Sequence, residues 1–468
     1  MKSVASLSAA AAMLAGSADA FWRMPSQGRV ALARLDPIVD RGVASSHAHT
    51  IHGANNFGAS TTYDDLRNSE CTSAQFADDK SAYWTPSLHF VYENGTTVLV
   101  PQVGGMLAYY LLEGENIKAF PKGFMMLAGD PHQRNFTLPV PDPPLYAWTA
   151  KDRTQRALAA KSIGMNCLNY AKPPEPSRYR HTFPDRELLE TCTDGIRAEM
   201  LFASCWNGRD LDTPDHKSHV AYPSELDGGS CPDEFPVRLP TLFYETIWNT
   251  YAFNGVPGQF VWSNGDATGC GYHADFMMGW DVETLQSAVD TCTNLSGRTE
   301  DCPVFAGRLQ SEQEQTQCKV AKLPKFLDND NCEGPASALC GNNPIQYGPA
   351  YASSNPPSSG DNDTPTSVPL PSQSYAPASS MGAGDISVDN VVEKPTPAAE
   401  YNSYPEITPA AQPPKEAVNE DDDGIVSTTT YTKDGVVYVV AIKEVEVYVT
   451  DPLRRRHAHA HRRNIGKH

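Results

Sequence analysis

Short apolar runs separated by turn residues recur along much of the chain. Each run contains β-branched or aromatic residues and is bounded by Gly, Pro, Asn or Asp, a pattern typical of β-strands. The runs cover residues 29–39, 82–92, 97–100, 106–112, 123–127, 196–203, 239–248 and 259–263. Asn94 and Gly95 separate two of these runs, and this dipeptide tolerates the positive φ angles of a tight hairpin. The pattern therefore predicts a chain built mainly of strands.

Helical periodicity is confined to two segments. Residues 152–165 place Leu158 and Ala159 on one apolar side, and residues 281–292 begin with Asp281, which can cap a helix. Many strands with so few helices indicate a mainly β fold, with a β-sandwich or jelly-roll-like core and a few short helices. The sequence contains no Gly-rich phosphate-binding loop and no G-x-S-x-G motif, so it offers no support for nucleotide binding or α/β-hydrolase chemistry.

The first 20 residues have the pattern of a secretory signal peptide. Lys2 gives a positive start, residues 5–16 are rich in Ala, Leu and Met, and residues 18–20 form a small-x-small cleavage site. We expect the mature chain to begin at Phe21 and to be secreted, to the extracellular space or the cell wall. No later run approaches the roughly 20 apolar residues that cross a bilayer, so no transmembrane segment is predicted.

Composition divides the rest of the chain into four parts. Residues 21–340 form the expected globular domain. Residues 341–424 are rich in Pro, Ser and Ala without apolar periodicity, which predicts a disordered linker. Residues 425–450 are strongly β-forming, and because an isolated hairpin is marginal in water we expect this segment to dock or self-associate. Residues 451–468 form a basic, His-rich tail, either disordered or able to bind an anionic wall polymer or metal.

Charge and cysteine content indicate the cellular environment of the chain and exclude one class of partner. The formal net charge of -19 argues against a general nucleic-acid binder. Eleven cysteines in an exported chain should mostly form disulfides, and the odd number leaves at least one thiol unpaired. Cys332 and Cys340 form a separate late pair by spacing. Sequons at Asn94, Asn135 and Asn294 predict glycosylated surface loops.

Histidines concentrate in three short clusters, which start at residues 47, 216 and 273. In extended backbone His47 and His49 point to the same side, whereas His52 needs a turn to join them. The spacings His-x-His, His-x-x-His and His-x-Asp can each place two ligands on one metal ion. The residues that we expect to bind metal are His47, His49, His216, His219, His273 and Asp275.

Neutral imidazoles with one carboxylate suit a divalent transition metal, zinc or copper. The same five histidines, without a metal, could act as acid/base groups. The alternative is that each histidine forms local hydrogen bonds in a Gly-rich loop, because clusters far apart in sequence need not meet in the fold.

Carboxylates in apolar or aromatic surroundings provide a second set of candidates. The candidate catalytic carboxylates are Asp36, Asp266, Asp275 and Glu245. The three aspartates would orient the histidines or act as their partners, and Glu245 alternates with aromatic residues as a carboxylate facing a cleft would. A suitably spaced pair of carboxylates would serve glycoside hydrolysis, with tryptophans and tyrosines as stacking surface. The alternative is that these aromatic rings form the core.

Several long motifs resemble one known family. They are residues 21–24 (Phe-Trp-Arg-Met), 35–39 (Leu-Asp-Pro-Ile-Val), 46–53 (Ser-His-Ala-His-Thr-Ile-His-Gly), 79–88 (Asp-Lys-Ser-Ala-Tyr-Trp-Thr-Pro-Ser-Leu), 204–210 (Ser-Cys-Trp-Asn-Gly-Arg-Asp), 215–223 (Asp-His-Lys-Ser-His-Val-Ala-Tyr-Pro) and 239–246 (Leu-Pro-Thr-Leu-Phe-Tyr-Glu-Thr). From about residue 21 to 319 the chain resembles the fungal secreted DUF1996 family.

The resemblance implies a fungal protein that is extracellular or associated with the cell wall. It implies no reaction and no catalytic residue, since the family is named for its unknown function. Relatives often carry a cysteine near position 26, where this chain has Ser26, and an aromatic residue at the position of Cys270. The resemblance therefore implies that Cys270 is the unpaired thiol.

The sequence as a whole favours a secreted, carbohydrate-related protein with a His/Asp site. It would be a hydrolase or a metal-dependent enzyme acting on polysaccharide, with cell-wall polysaccharide as its partner. The alternative is a non-catalytic cell-wall structural or stress-sensing protein, whose clustered histidines and glycines only rigidify loops. A disordered stalk followed by a β-forming segment suits surface display as well as secretion.

Overall fold

The computed structural model describes residues 20–353, 425–433 and 436–443. The predictions for the signal peptide, the linker beyond residue 353 and the basic tail concern residues outside these ranges. The chain separates into two units with a boundary between residues 397 and 398, and the two units are described separately.

Strands dominate the described residues, and the predicted mainly β fold is confirmed. The strands are β1 Ala20–Ser26, β2 Ala31–Ala33, β3 His49–Gly53, β4 Ala82–Pro86, β5 Leu88–Tyr92, β6 Thr97–Leu99, β7 Gln102–Leu112, β8 Met125–Gly129, β9 Ile163–Cys167, β10 Ile196–Leu201, β11 Cys205–Trp206, β12 Val220–Ala221, β13 Val237–Arg238, β14 Thr241–Trp248, β15 Gly258–Trp262, β16 His273–Met277, β17 Ile425–Lys433 and β18 Val436–Lys443. The helices are α1 Tyr63–Arg67, α2 Gln155–Lys161, α3 Arg186–Leu189, α4 Val282–Thr291 and α5 Glu312–Gln317, with 3-10 turns at Leu145–Ala147, Thr250–Phe253, Thr299–Asp301 and Lys325–Leu327.

Two five-stranded antiparallel sheets form the core of the first unit. The first has the order β1-β7-β14-β10-β9, and the second has the order β2-β3-β4-β16-β8. Tyr83 of β4 contacts Tyr244 of β14 with ring centroids 5.7 Å apart, so the two sheets pack face to face. The inner faces are fully buried and rich in aromatic residues, which is the arrangement of a β-sandwich.

The predicted strand at residues 82–92 is two strands in different sheets. β4 pairs with β3 and β16, whereas β5 pairs with β15 and β6 in a separate three-stranded sheet. The change occurs at Ser87, whose backbone N–H and side-chain hydroxyl both donate to the carbonyl of Ala48. The hairpin predicted at Asn94 connects β5 to β6, and Gly95 there has a φ of +85°.

The predicted strand at residues 29–39 is confined to Ala31–Ala33. Beyond it, the Asp36 carboxylate accepts hydrogen bonds from the backbone N–H groups of Ile38 and Val39, both at 3.0 Å. These local hydrogen bonds form a turn in place of strand pairing, which is common for short acidic side chains. The turn leaves Asp36 3% exposed, close to the outer face of the second sheet.

Both predicted helical segments contain a helix. In α4 the carboxylate of Asp281 caps the first turn by accepting from the N–H of Thr284 at 2.9 Å, as predicted from the sequence. Leu285 and Val289 of this helix are buried against the core. The first segment is helical over α2, and beyond Ser162 its chain continues as strand β9.

The first unit is cross-linked by disulfides and continues past residue 340. Its disulfides are Cys71–Cys318, Cys167–Cys192, Cys205–Cys231, Cys292–Cys302 and Cys332–Cys340, and Cys270 is a buried free thiol, as expected. Gln346 donates its N–H to the carbonyl of Gly265, and Ala352 donates to the carbonyl of His132. Residues 341–353 therefore pack on the domain, although the sequence placed them in the linker.

In the second unit, β17 and β18 form an antiparallel hairpin. This agrees with the β-forming pattern of residues 425–450, and self-association through that segment stays a prediction. Within the described residues, no helix combines the length and apolar character needed to cross a bilayer.

Candidate metal centre

Three histidines from distant parts of the sequence meet on the outer face of the second sheet. His49 begins β3, His273 begins β16, and His47 lies at a bend two residues before His49. The Nε2 atoms of His47 and His273 are 2.9 Å apart. One ring nitrogen of each of the three histidines lies within 4.8 Å of the others. The convergence of the first and third sequence clusters, assumed from their spacing, is therefore present in the fold.

Backbone carbonyls fix the orientation of two of these rings. His49 Nδ1 lies 3.1 Å from the carbonyl oxygen of Leu35, and His273 Nδ1 lies 2.9 Å from that of Gly271. Since a carbonyl oxygen only accepts hydrogen bonds, both Nδ1 atoms carry the hydrogen in the neutral rings. Both Nε2 atoms consequently present a lone pair, which is the form that binds a metal ion.

His47 has a partner that permits either tautomer. Its Nδ1 lies 3.0 Å from the hydroxyl oxygen of Ser46, which can donate or accept. When that hydroxyl donates, His47 Nε2 carries a hydrogen and donates to His273 Nε2. When the hydroxyl accepts, the lone pair of His47 Nε2 faces the same point as the other two.

Two buried aspartates lie beside His49. One oxygen of Asp36, one oxygen of Asp275 and a ring nitrogen of His49 lie within 4.8 Å of one another. Neither oxygen of Asp275 accepts a hydrogen bond, and His49 Nε2 also has no hydrogen-bond partner. Both residues are fully buried. We call the group formed by His47, His49, His273, Asp36 and Asp275 the His/Asp centre.

Burial controls the protonation of the His/Asp centre. Removal from water holds the pKa of His47 and His49 well below 6.5 and lowers that of His273 to about 4. The same burial raises the pKa of Asp275 well above its usual value and that of Asp36 to about 6. At neutral pH the imidazoles are neutral, whereas Asp275 keeps its charge only with a cation beside it.

A hydrogen-bonded loop positions His273. The carboxylate of Asp266 accepts from the N–H of Gly271 at 2.7 Å and from the N–H and hydroxyl of Thr268. The carbonyl of Gly271 in turn holds the His273 ring. Asp266 is thus linked to the His/Asp centre through the backbone and lies outside the group of potential ligands.

The second histidine cluster lies near the His/Asp centre without joining it. His216 Nδ1 pairs with Asp212 at 2.8 Å, and this hydrogen bond raises the pKa of His216. His219 contacts the hydroxyl of Thr213 and the carbonyl of Met125. Among the described residues, neither histidine belongs to a group that could share one ion.

Glu245 lies in the other sheet and has a different environment. It is directly opposite Glu199 in the register of β14 and β10. Tyr109 donates to Glu245 at 2.8 Å, and the Arg197 guanidinium lies 2.7 Å from Glu199 and 3.4 Å from Glu245. These groups are at most 7% exposed, so the arrangement is a buried cluster in which two carboxylates share one guanidinium. His52 likewise faces away from the His/Asp centre, towards Gln102.

The aromatic residues considered for sugar stacking form the core. Tyr83, Trp84, Tyr244, Trp248, Trp262, Tyr272 and Trp280 are 0% exposed, and Trp206 is partly buried. Fully buried rings offer no surface to a polysaccharide, so their role here is packing.

Some groups that hold the His/Asp centre were not identified from the sequence. Ser46 and Ser263 are examples: the hydroxyl of Ser263 donates to the carbonyl of Ala48 at 2.5 Å and fixes the backbone between His47 and His49. The adjacency of Ser46 to His47 was a usable signal. The carbonyls of Leu35 and Gly271 could not have been identified from the sequence, because every residue has a carbonyl.

The His/Asp centre is closed to solvent. Its most exposed member is His47, at 6%. Cavities of about 660, 370 and 200 Å³ open elsewhere on the described chain, and none is lined by a residue of the centre. Structural metal sites are closed in this way, whereas catalytic ones keep a position open to water or substrate.

Comparison with known proteins supports the resemblance seen in the sequence. The profile of the family described as "Domain of unknown function (DUF1996)" matches residues 36–280. A search of curated proteins and a search of solved structures each returned no match. The matched segment contains every residue of the His/Asp centre, and the chain belongs to the DUF1996 family.

Proposed function

We propose that this chain is a metal-binding extracellular protein in which the His/Asp centre holds one divalent transition metal ion. His47, His49 and His273 would bind the ion through Nε2, and Asp275, which groups with His49 and Asp36 and not with the other two histidines, would have to move towards the ion to become its fourth ligand. The closed burial of the centre supports a structural role for the ion, on the outer face of the second sheet. The proposal thus favours the non-catalytic alternative over an enzyme acting on polysaccharide.

The single observation behind this proposal is the pairing of two unsatisfied groups in a fully buried place. Asp275 has two oxygens without a hydrogen bond, and His49 Nε2 beside it is equally unsatisfied. A buried polar group without a hydrogen bond destabilises the folded state by on the order of 1–3 kcal/mol, and a charged group does so by more. One cation between them would satisfy both, whereas a proton on Asp275 would satisfy fewer of these atoms.

The residues present fit zinc or copper. Neutral imidazoles and a carboxylate are ligands that both ions accept. With Zn–N distances near 2.0–2.1 Å, tetrahedral ligand nitrogens lie about 3.4 Å apart. The 2.9 Å between His47 and His273 would therefore open by about 0.5 Å, and the Ser46 hydroxyl would change from donor to acceptor.

Export is part of the proposal and has its own support. Five disulfides cross-link the first unit, and such bonds persist mainly outside the reducing cytosol. Asn94, Asn135 and Asn294 of the three sequons are all exposed. The carbohydrate-related role has no such support in the described residues. Depletion of the protein by insoluble glucan or chitin would test it directly.

Metal analysis of the untagged full-length chain tests the metal centre. The tail histidines 457, 459, 461 and 468 are first replaced by alanine, since they could bind metal themselves. We expect about one equivalent of zinc or copper after dialysis, and a lower Tm after chelation because the ion binds only the folded chain. Asp275→Asn and His273→Gln should weaken the affinity roughly 100-fold or more, since each removes a ligand.

His181→Gln is the matched control, because His181 is equally buried and donates from Nδ1 to the carbonyl of Ile163 in β9 of the first sheet, away from the His/Asp centre. It should retain the full equivalent of metal. Protein that takes up no zinc or copper at micromolar concentration, with a Tm insensitive to chelation, would overturn the proposal.

A further inference from the structure

A cavity of about 370 Å³ opens between strand β8 and helix α2. It lies where the two sheets end, since β8 is the last strand of the second sheet and β9 the last of the first. Leu127 and Gly129 of β8 line the cavity. Its volume falls in the range of small-molecule sites, which are mostly apolar with a few polar anchors.

Two cations line the cavity, the half-buried Lys217 and the exposed Arg156 of α2. The Lys217 ammonium donates to the carbonyl oxygen of Gly129 at 2.5 Å. An ammonium has three donors, so two are left for other partners. No carboxylate in the described part of the chain forms an ion pair with Lys217, in contrast to Lys161 near the same cavity, which pairs with Asp142 at 2.7 Å. Lys217 is therefore available to an anionic group.

Two further polar side chains of the lining, Gln155 and Asp130, already have hydrogen-bond partners. The Gln155 amide donates to and accepts from the backbone of Tyr222, at 2.8 and 2.7 Å. The Asp130 carboxylate accepts from the N–H of His132 and from the hydroxyl of Tyr351. These two side chains are therefore not free to bind the hydroxyl groups of a ligand.

Much of the remaining lining is apolar and includes an aromatic ring. Phe136 stacks on His181 with ring centroids 4.3 Å apart, which fixes its plane. Ile163, Val220 and Ala160 complete the apolar wall. A flat apolar body gains from both contacts, because aromatic rings bury a large area and prefer stacked or edge-on partners.

We propose that this cavity binds a small aromatic carboxylate, whose carboxylate pairs with Lys217 and whose ring packs against Phe136 and Ile163. This goes beyond the proposed metal centre and does not need it, because no residue of the His/Asp centre lines the cavity. A chain that senses or carries such acids outside the cell would use the site directly.

Calorimetric titration of the full-length, chelator-treated protein tests the site with three probes. Cinnamate has the charge and the ring, cinnamamide has the ring without the charge, and glucuronate has the charge on a hydroxyl-rich body. We expect cinnamate to bind at least tenfold more tightly than either of the others. Equal binding of cinnamate and cinnamamide would overturn the role of Lys217, and tighter binding of glucuronate would overturn the apolar assignment.

Lys217→Met should weaken cinnamate binding roughly 10- to 100-fold, as expected for the loss of a charged hydrogen-bond donor, and leave cinnamamide unchanged. The control is Lys172→Met at an exposed lysine, which should not alter binding. Ala160→Phe should fill the cavity and abolish binding while the circular dichroism spectrum stays native. Unchanged cinnamate binding in both cavity variants would overturn the proposal, and metal reloading should not change any of these values.

Discussion

We expect single buried histidines to contribute to this protein's sensitivity to acid. Burial lowers the pKa of His89 to about 4, with no charged partner involved, and that of His52 to about 3. In the unfolded chain these rings take up a proton near pH 6.5. A histidine that stays neutral in the folded state therefore adds stability above pH 6.5, and this contribution is lost as the pH falls towards the folded pKa.

His89→Gln tests this at one residue. Glutamine does not titrate, so the loss of stability between pH 7 and pH 4.5 should be smaller in the variant by about 2–3 kcal/mol, as follows from a pKa near 4. Chemical unfolding at the two pH values measures the difference. His216→Gln should act in the opposite direction, because the Asp212 hydrogen bond raises the pKa of His216 and so favours the folded state in acid. The same change of unfolding free energy with pH in the unmodified protein and in both variants would contradict this explanation.

Strands β8 and β16 pair so closely that one position accepts only glycine. Gly129 has a φ of +81°, and a Cβ added to it would lie 2.5 Å from the carbonyl oxygen of Tyr272 and 2.8 Å from the Cα of His273. The same residue pairs with His273 in the register of the two strands. The close pairing at the end of β8 therefore restricts the backbone position of His273.

Gly129→Ala should lower the free energy of unfolding by roughly 2 kcal/mol more than Gly95→Ala does. Both glycines have positive φ, which costs alanine about 1 kcal/mol at either position. Only Gly129 adds a backbone clash, since nothing lies within 4 Å of a Cβ at Gly95. Chemical unfolding of both variants gives the comparison, and metal affinity should fall only in Gly129→Ala. Equal losses would show that β8 can shift away from β16.

At the scale of the whole molecule, one disulfide joins parts that are remote in sequence. Cys71–Cys318 spans 247 residues, whereas Cys332–Cys340 spans 8. A cross-link restricts the unfolded chain more when it closes a longer loop. The first bond also connects the loop between α1 and β4 to the segment that follows α5.

Replacing both cysteines of the long-range bond by serine should therefore cost about 2–3 kcal/mol more stability than the same change at Cys332 and Cys340, according to the loop-entropy relation. Guanidinium unfolding of the two double variants measures the difference. Equal losses would mean that local packing around each bond outweighs its effect on the unfolded chain.

The sequence by itself determined the class of fold and part of the candidate site. Alternating apolar runs and turn residues identify a strand, because local backbone preference and one-sided burial act over a few residues. The odd number of cysteines predicted a free thiol, and the spacing of His47 and His49 predicted that both point to one side wherever the backbone is extended.

Only the tertiary structure decided which candidates meet. The register of β3, β4 and β16 brings His49, His273 and Asp275 to one face of the second sheet, whereas Glu245 belongs to the first sheet. Pairing between strands that are remote in sequence, such as that of Trp84 with Asp275, depends on the packing of the whole core, which no local pattern specifies. Burial, which leaves Asp275 without a hydrogen bond and closes the His/Asp centre, arises only when the sheets and the covering loops are assembled.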